Sequence, residues 1–420
     1  MKVLMVNTSE TAGGAAIAAK RLMRALNRNG VEANMLVRDK TTDDAHVFAL
    51  PHQRRMRLRF IAERGIVFAA NRLSRSNLWA VDANRFGCDI TRLPIFQEAD
   101  IIHLHWVNQG LLSVGDLARI LHSGKPVVWT FHDMWAFTGI CHHAESCEGW
   151  RHKCGDCLLL AHPAAADLSY TTFARKEKAY KAGRINVIAC SDWLADLARE
   201  APLLKGNRVE SIPNAIDTEF YVRGDKAAAR EALGLPQDKK ILLFIAYKAT
   251  DEKKGFQYLI DAIDLVHKNY PEWTREMAVV PVGKESDKLK NAFACEAFPQ
   301  DYVSDREKLR LLYQAADVLV MPTLRDNLPN TIVEGMACGL PCVGFNVGGL
   351  PQMIEDHLTG FLVKFCDVDD LAHKILNLLY SDHYDDFCRN AREKAEQNYS
   401  QKYVAERHIE FYQEILSQKA

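Results

Sequence analysis

Short apolar runs of strand length alternate with helix-period segments along most of the 420 residues, the pattern of parallel sheets covered on both faces. KVLMVN predicts a first strand, and GGAAIAAKRLMRALNRNG after it has apolar residues at helical spacing and ends at Gly30, a natural C-cap. DIIHLHWV and PVVWTFHD read as buried strands separated by the helical SVGDLARILHSG; INVIACS is a further strand whose Ser191 can cap DWLADLARE. Near Ile212 the pattern resets, and SIPNAIDTEFY, with neither period, predicts a linker. A second series then sets the strands KKILLFIAY, EMAVVPVG, ADVLVMP and LPCVGF against the helices GFQYLIDAIDLVHKNY, DREKLRLLYQA and NTIVEGMACG. Helices from Asp367 to Ser417 finish the chain, and YVAERHIEFYQEILS carries an apolar stripe that requires a partner surface.

The expected fold is α/β, with two doubly wound parallel-sheet domains over residues 1–212 and 213–400 and a C-terminal helix, 401–420, packing back toward the first. Ligands of such sheets bind at the carboxyl ends of the strands, so the cleft expected between the domains is the default site. The start, MKVLMVNTSE, has too short an apolar run for a signal peptide, and no stretch reaches eighteen uninterrupted apolar residues. A cytoplasmic location is expected, where thiols stay reduced.

Charge sharpens the division. Residues 1–212 hold 28 Lys+Arg against 21 Asp+Glu, a net of +7, and the remainder 25 against 33, a net of −8. Much of the basic excess lies in RRMRLRFIAERGIVFAANRLSR, where Arg54, Arg55, Arg57, Arg59, Arg64, Arg72 and Arg75 face the single Glu63. Such a segment suits an anionic membrane surface or a phosphorylated ligand, and suits equally a solvated helix face with arginine stems over apolar neighbours.

Three stretches carry candidate chemistry. In TSETAGGAA, Gly13 and Gly14 lie between the first strand and the first helix, where a helix amino end faces an anion; neither a G-x-G-x-x-G fingerprint nor a Walker A lysine is present. In LRDNLPNTIVEGMACGLP, Asp326 lies on the loop after a buried strand and Glu334 inside the next helix. With that helix starting near Pro329, the N–H groups around Leu328, Asn330 and Thr331 are ready for phosphate oxygens, Glu334 can accept from a vicinal diol such as ribose, and Asp326 can reach a sugar hydroxyl. In AYKATDEKKGFQYL, Lys253, Lys254 and the strand-end Lys248 are placed to neutralise a diphosphate.

SIPNAIDTEFY, DEKKGFQYLIDAI and AADVLVMPTLRDNLPNTIVEGMACGLPCVGFNVGGLPQMIED, in that order, resemble the second domain of the retaining glycosyltransferases of family 4, which implies the GT-B architecture. TFHDMWAFTGICHH resembles the colanic-acid and capsular-polysaccharide branch of that family. The resemblance implies transfer of a sugar from a nucleoside diphosphate to a glycan or lipid-linked acceptor hydroxyl with retention, in bacterial surface polysaccharide synthesis; the Arg54–Arg75 segment would allow a peripheral place on the inner face of the cytoplasmic membrane. It matches Glu334 to the ribose carboxylate, Lys254 to the diphosphate lysine, His132 to the histidine beside donor sugar and acceptor, and Gly13 and Gly14 to the glycine-rich loop near the phosphates. Asp326 stands where the family usually has a sugar-contacting glutamate. Lys248 is the candidate second phosphate cation, since Tyr247-Lys248 replaces a common Gly-Arg pair. No catalytic divalent metal is expected.

Four of the eleven cysteines fall in CHHAESCEGWRHKCGDC, with spacing C-x5-C-x6-C-x2-C over Cys141, Cys147, Cys154 and Cys157 and with His142, His143 and His152 as alternates. A structural zinc held by the four cysteines is the first expectation; disulfides or unliganded thiols are the others. Competing functions are another nucleotide-sugar enzyme of the same architecture, a phosphorylase or epimerase, and a zinc-stapled nucleic-acid-binding module. The acidic second half and the lack of basic runs interleaved with aromatics argue against nucleic acid.

Overall fold

The computed structural model describes residues 1–418. It divides the chain into two compact units, one formed by residues 1–215 together with the segment from Val404 onward, the other by Ile216–Tyr403. The first holds seven strands: β1 (Lys2–Ser9), β2 (Glu32–Asp39), β3 (Val47–Ala49), β4 (Ile101–Leu104), β5 (Val127–Phe131), β6 (Asn186–Ala189) and β7 (Val209–Ser211), in the order β3-β2-β1-β4-β5-β6-β7. All pairs are parallel, with Val3 opposite Ile101 and Val6 opposite Leu104. Val3, Leu4, Met5 and Val6 are all buried, as expected of a strand covered on both faces.

The second unit holds β8 (Lys240–Lys248), β9 (Met277–Lys284), β10 (Glu296–Ala297), β11 (Val318–Met321), β12 (Cys342–Phe345) and β13 (Gly360–Val363), in the parallel order β10-β9-β8-β11-β12-β13. In each sheet the chain winds outward one way and then returns to wind the other. The strand order therefore reverses between β1 and β4 and between β8 and β11, and the carboxyl ends of those neighbours border the crevice where open α/β sheets bind ligands.

The sequence reading found none of β2, β3, β10 and β13, and it placed Ser211 in the linker. β3 and β10 are edge strands of three and two residues, too short to show a period, and β7 is a three-residue edge as well. The unit boundaries fall at 215/216 and 403/404 rather than at 212/213 and 400/401. Ile212 and Ala215 remain buried and line a cavity with His105 and His408 of the first unit, so the chain leaves that unit later than the loss of periodicity suggests. In the helix Gln401–Ser417, Tyr412 hydrogen-bonds through its hydroxyl to His103 Nδ1 at 2.6 Å; residues 419–420 of the predicted C-terminal segment lie outside the described residues.

Ser191 caps Asp192–Glu200 through the Leu194 N–H, as its sequence position indicates. The basic segment forms the helix Gln53–Ala70, but it is not a uniform surface stripe. Arg64 is buried against the Asp82 carboxylate and the carbonyls of Leu78 and Val81, and Glu63 accepts the backbone N–H groups of Ala83 and Arg85. The helix needs this inward pair because the irregular stretch beneath it has backbone donors and acceptors that no strand satisfies. Among the described residues no helix is long and apolar enough to cross a membrane.

Candidate active site

The second unit gathers its candidate residues at the β8/β11 switch point. A single turn, Glu252–Lys254, follows β8, and Gly255 closes it with φ +74. A side chain at Gly255 would lie 1.7 Å from the Pro322 carbonyl oxygen, so glycine lets the loop after β8 press against the loop after β11. The contact continues through backbone: Leu324 N–H and Thr323 Oγ1 both donate to the Lys253 carbonyl, at 2.9 and 3.2 Å. Lys254 Nζ is thereby carried to 2.5 Å from Asp326 Oδ2.

The helix Asn330–Ala337 starts beside this pair. Pro329 occupies its N-cap and makes no side-chain capping bond, so backbone N–H groups of the first turn, from Asn330 and Thr331, present positive partial charge. Glu334, one turn in, is buried and accepts the Tyr313 hydroxyl at 2.7 Å. Burial and the adjacent Glu334 charge push the Tyr313 phenol well above its ordinary range, so it is a donor to that carboxylate at any physiological pH. Lys248 does not join Lys254. Its ammonium lies 3.0 Å from Glu285, which also accepts from Lys288 and Thr250, and the bonds from Lys288, Thr250 and Lys248 hold the Glu285 carboxyl down at about 2. Glu285 has no counterpart in the sequence reading; the signal was a charged GKES immediately after a buried strand.

In the first unit Gly13, at φ +90, is the N-cap of the helix Gly14–Arg28, which no side chain caps. The loop follows β1, at the β1/β4 switch point. His132, directly after β5, is half-buried, and its Nε2 lies 3.1 Å from His105 Nδ1 with the two rings stacked. Burial holds the His132 imidazole down to about 4, opposed by the neighbouring Asp133, so it is neutral near pH 7. His103 stands behind His105, bonded to Thr130 and Tyr412. The alternation in HLHW held the clue, because residues two apart on a strand share a face.

Asp133 anchors a second network. Its carboxylate accepts from Trp106 Nε1 at 2.9 Å and from the Trp135 N–H at 2.8 Å, and it lies 2.7 Å from His142 Nδ1. The other ring nitrogen of His142 lies 2.9 Å from Asp82, the residue that also holds Arg64. Although desolvation works against it, the Asp133 carboxyl is held at about 2 by His142, the Trp135 amide and His143. His142 therefore bridges two carboxylates, which removes it from the alternate metal ligands considered on spacing alone.

All four cysteines of the loop are unoxidised thiols and line one cavity of about 20 Å3, with Ile140, Trp150 and Ser169 among its other walls. Desolvation raises the Cys141 thiol to about 12 and that of Cys154 to about 11. Among the described residues no group of three or more His, Cys, Asp or Glu side chains is already disposed to hold a metal ion.

The family model described as Glycosyltransferase Family 4 matches residues 12–220, and that described as Glycosyl transferases group 1 matches residues 239–381. The chain belongs to the glycosyltransferases. This glycosyltransferase is 30% identical over 176 residues to a D-inositol 3-phosphate glycosyltransferase of Mycolicibacterium paratuberculosis, spanning 41% of this chain and 39% of that protein. It is 26% identical over 349 residues to the protein of the same name from Saccharomonospora viridis, spanning 79% and 74%. The match to the first of these relatives thus spans about two fifths of that protein's length. Among solved structures, Anabaena HepE in complex with UDP and glucose superposes with a TM-score of 0.64 at 17% identity, over 99% of this chain and all of that one, a likeness of fold. The fold is GT-B.

Proposed function

We propose that this glycosyltransferase moves a sugar from a nucleoside diphosphate to an acceptor hydroxyl with retention of anomeric configuration. The observation that carries it is the grouping of Lys254, Asp326 and the uncapped helix Asn330–Ala337 at the β8/β11 switch point. That site offers a cation and helix-end amides for a diphosphate and a carboxylate for a sugar hydroxyl, and HepE, whose fold this chain shares, was crystallised with UDP and glucose. Glu334 is assigned the nucleotide ribose, and Leu328, Asn330 and Thr331 the phosphate oxygens. Lys248 serves the diphosphate only by leaving Glu285. Gly13 and Gly14 admit the phosphates' approach to the first helix, and His132, neutral and oriented by His105, contacts the reacting sugar.

In the proposed step the bond from the anomeric carbon to the diphosphate oxygen breaks, the acceptor oxygen bonds to that carbon on the same face, and the acceptor proton passes to the departing oxygen. Lys254 and the helix amides stabilise the charge that develops there.

The acceptor is proposed to be a glycan or lipid-linked oligosaccharide of bacterial surface polysaccharide synthesis, reached at the inner face of the cytoplasmic membrane. Support comes from the outer face of Gln53–Ala70 and the turn after it. Leu58, Ile61, Leu73 and Trp79 are exposed there among exposed Arg54, Arg55, Arg57, Arg72 and Arg75, a composition suited to an anionic bilayer surface.

The test is calorimetric titration with a panel of UDP-, GDP- and ADP-sugars, followed by product analysis with the donor that binds. Release of free nucleoside diphosphate and a glycoside of unchanged anomeric configuration by NMR supports the proposal. Release of sugar phosphate, or an inverted product, refutes it.

A further inference from the structure

The loop Cys141–Cys157 is held to the rest of the first unit by backbone as well as by His142. Cys141 bridges to Val81, His142 N–H donates to the Ala80 carbonyl, and the Met134 N–H donates to the His142 carbonyl. The loop so placed presents His142 to Asp133, the neighbour of His132. What stiffens the loop itself is not a strand, a helix or a disulfide: apart from one turn at Gly149–Arg151 it is irregular, and its cysteines are unpaired.

We propose that Cys141, Cys147, Cys154 and Cys157 bind one zinc ion, which rigidifies this loop and so positions His142 against Asp133. The four cysteines line a single cavity of about 20 Å3, room for one water-sized guest. Backbone amides already point at the sulfurs. Gly139 N–H donates to Cys154 Sγ at 3.1 Å and Gly149 N–H to Cys147 Sγ at 3.4 Å. Such donors favour thiolate over thiol, because a charged acceptor gains more from each bond, and they are the outer-shell bonds that orient metal-bound sulfur.

The four cysteines border the cavity without already forming a ligand set. Binding therefore rotates the side chains inward, forms four Zn–S bonds, breaks four S–H bonds and releases four protons, with no change of oxidation state.

The test uses the full chain purified under reducing conditions without chelator, with zinc measured by plasma emission alongside a thiol count. The expected result is about one zinc per chain, lost in Cys157→Ser and retained in Cys295→Ser, which lies in the other unit. Exchange with cobalt should give the visible absorption of a tetrahedral thiolate site, and hydrogen exchange across residues 133–157 should quicken when zinc is withdrawn from the wild-type chain. The proposal fails if the chain carries no zinc and all four thiols react, if the four form disulfides, or if Cys157→Ser keeps its zinc. None of these readouts depends on sugar transfer, so the site stands or falls separately from the proposed activity.

Discussion

Replacing His142 by alanine isolates the network beside His132. The ring lies 2.7 Å from Asp133 and 2.9 Å from Asp82, so the variant loses one charge-assisted hydrogen bond at each carboxylate, for a combined cost of about 3 kcal/mol. Asp82 keeps Arg64 and Asp133 keeps its two tryptophan donors, which places the loss below that of a stranded, unpaired ion. At roughly 2–4 °C per kcal/mol for a unit of this size, the melting transition of the first unit should fall by about 6–12 °C. The pH dependence gives a second readout. In the wild type the Asp133 carboxyl is depressed to about 2 from 3.8, so its contribution is fully present above the ordinary carboxylate pKa and is lost as pH falls toward 2. Without His142 the desolvation that opposes ionisation remains while the first of the opposing influences is gone, so Asp133 titrates higher and binds its proton more readily. The deficit of His142→Ala relative to wild type should then shrink as pH falls from about 4 toward 2. Urea denaturation followed by tryptophan fluorescence measures both, since Trp106, Trp129 and Trp135 lie close to the network. A deficit under about 1 kcal/mol at neutral pH, or one that grows on acidification, refutes the bridging role.

Glu334→Gln keeps a partner for the buried Tyr313 hydroxyl but removes the charge offered to a diol, so nucleotide affinity should fall roughly 10–100-fold by calorimetry with little loss of stability; unchanged affinity removes the ribose assignment. Lys254→Ala should lower turnover by roughly 10²–10³-fold with a smaller change in donor KM, because the charge it meets develops as the diphosphate leaves; near-normal turnover removes it from the mechanism. Reversing Arg54, Arg55 and Arg57 to glutamate should abolish sedimentation with phosphatidylserine vesicles, at about 1 kcal/mol per arginine removed. Sedimentation that persists returns the helix Gln53–Ala70 to an ordinary solvated face.

The helix Asn330–Ala337 and its bare amino end could be read directly from NLPNTIVEGMACG, because proline before a run of helical period marks a start without needing tertiary contacts. The same holds for the Ser191 cap and the two series of strands and helices. Arg64 shows where local reading stops: its neighbours in sequence are arginines on an exposed face, yet it turns inward to Asp82, and no periodicity announces a buried ion pair eighteen residues away. Lys248 was assigned beside Lys254 because it ends the strand leading into that loop, where Tyr247-Lys248 replaces a common Gly-Arg pair, but β8 and β9 end side by side and give Lys248 to Glu285.

Sequence alone determined most of the elements, their parallel pairing class, the two-unit division and the residue types available for diphosphate, ribose and metal, because period, capping and spacing act over a few residues. Tertiary structure decided which of those groups meet. Lys254 reaches Asp326 across 72 residues because the loops after β8 and β11 leave adjacent strands, His142 reaches Asp82 across 60, and Tyr412 reaches His103 across 309. Those pairings depend on strand order and on how loops pack at strand ends, and both are set when the sheet forms, not by any neighbour in the chain.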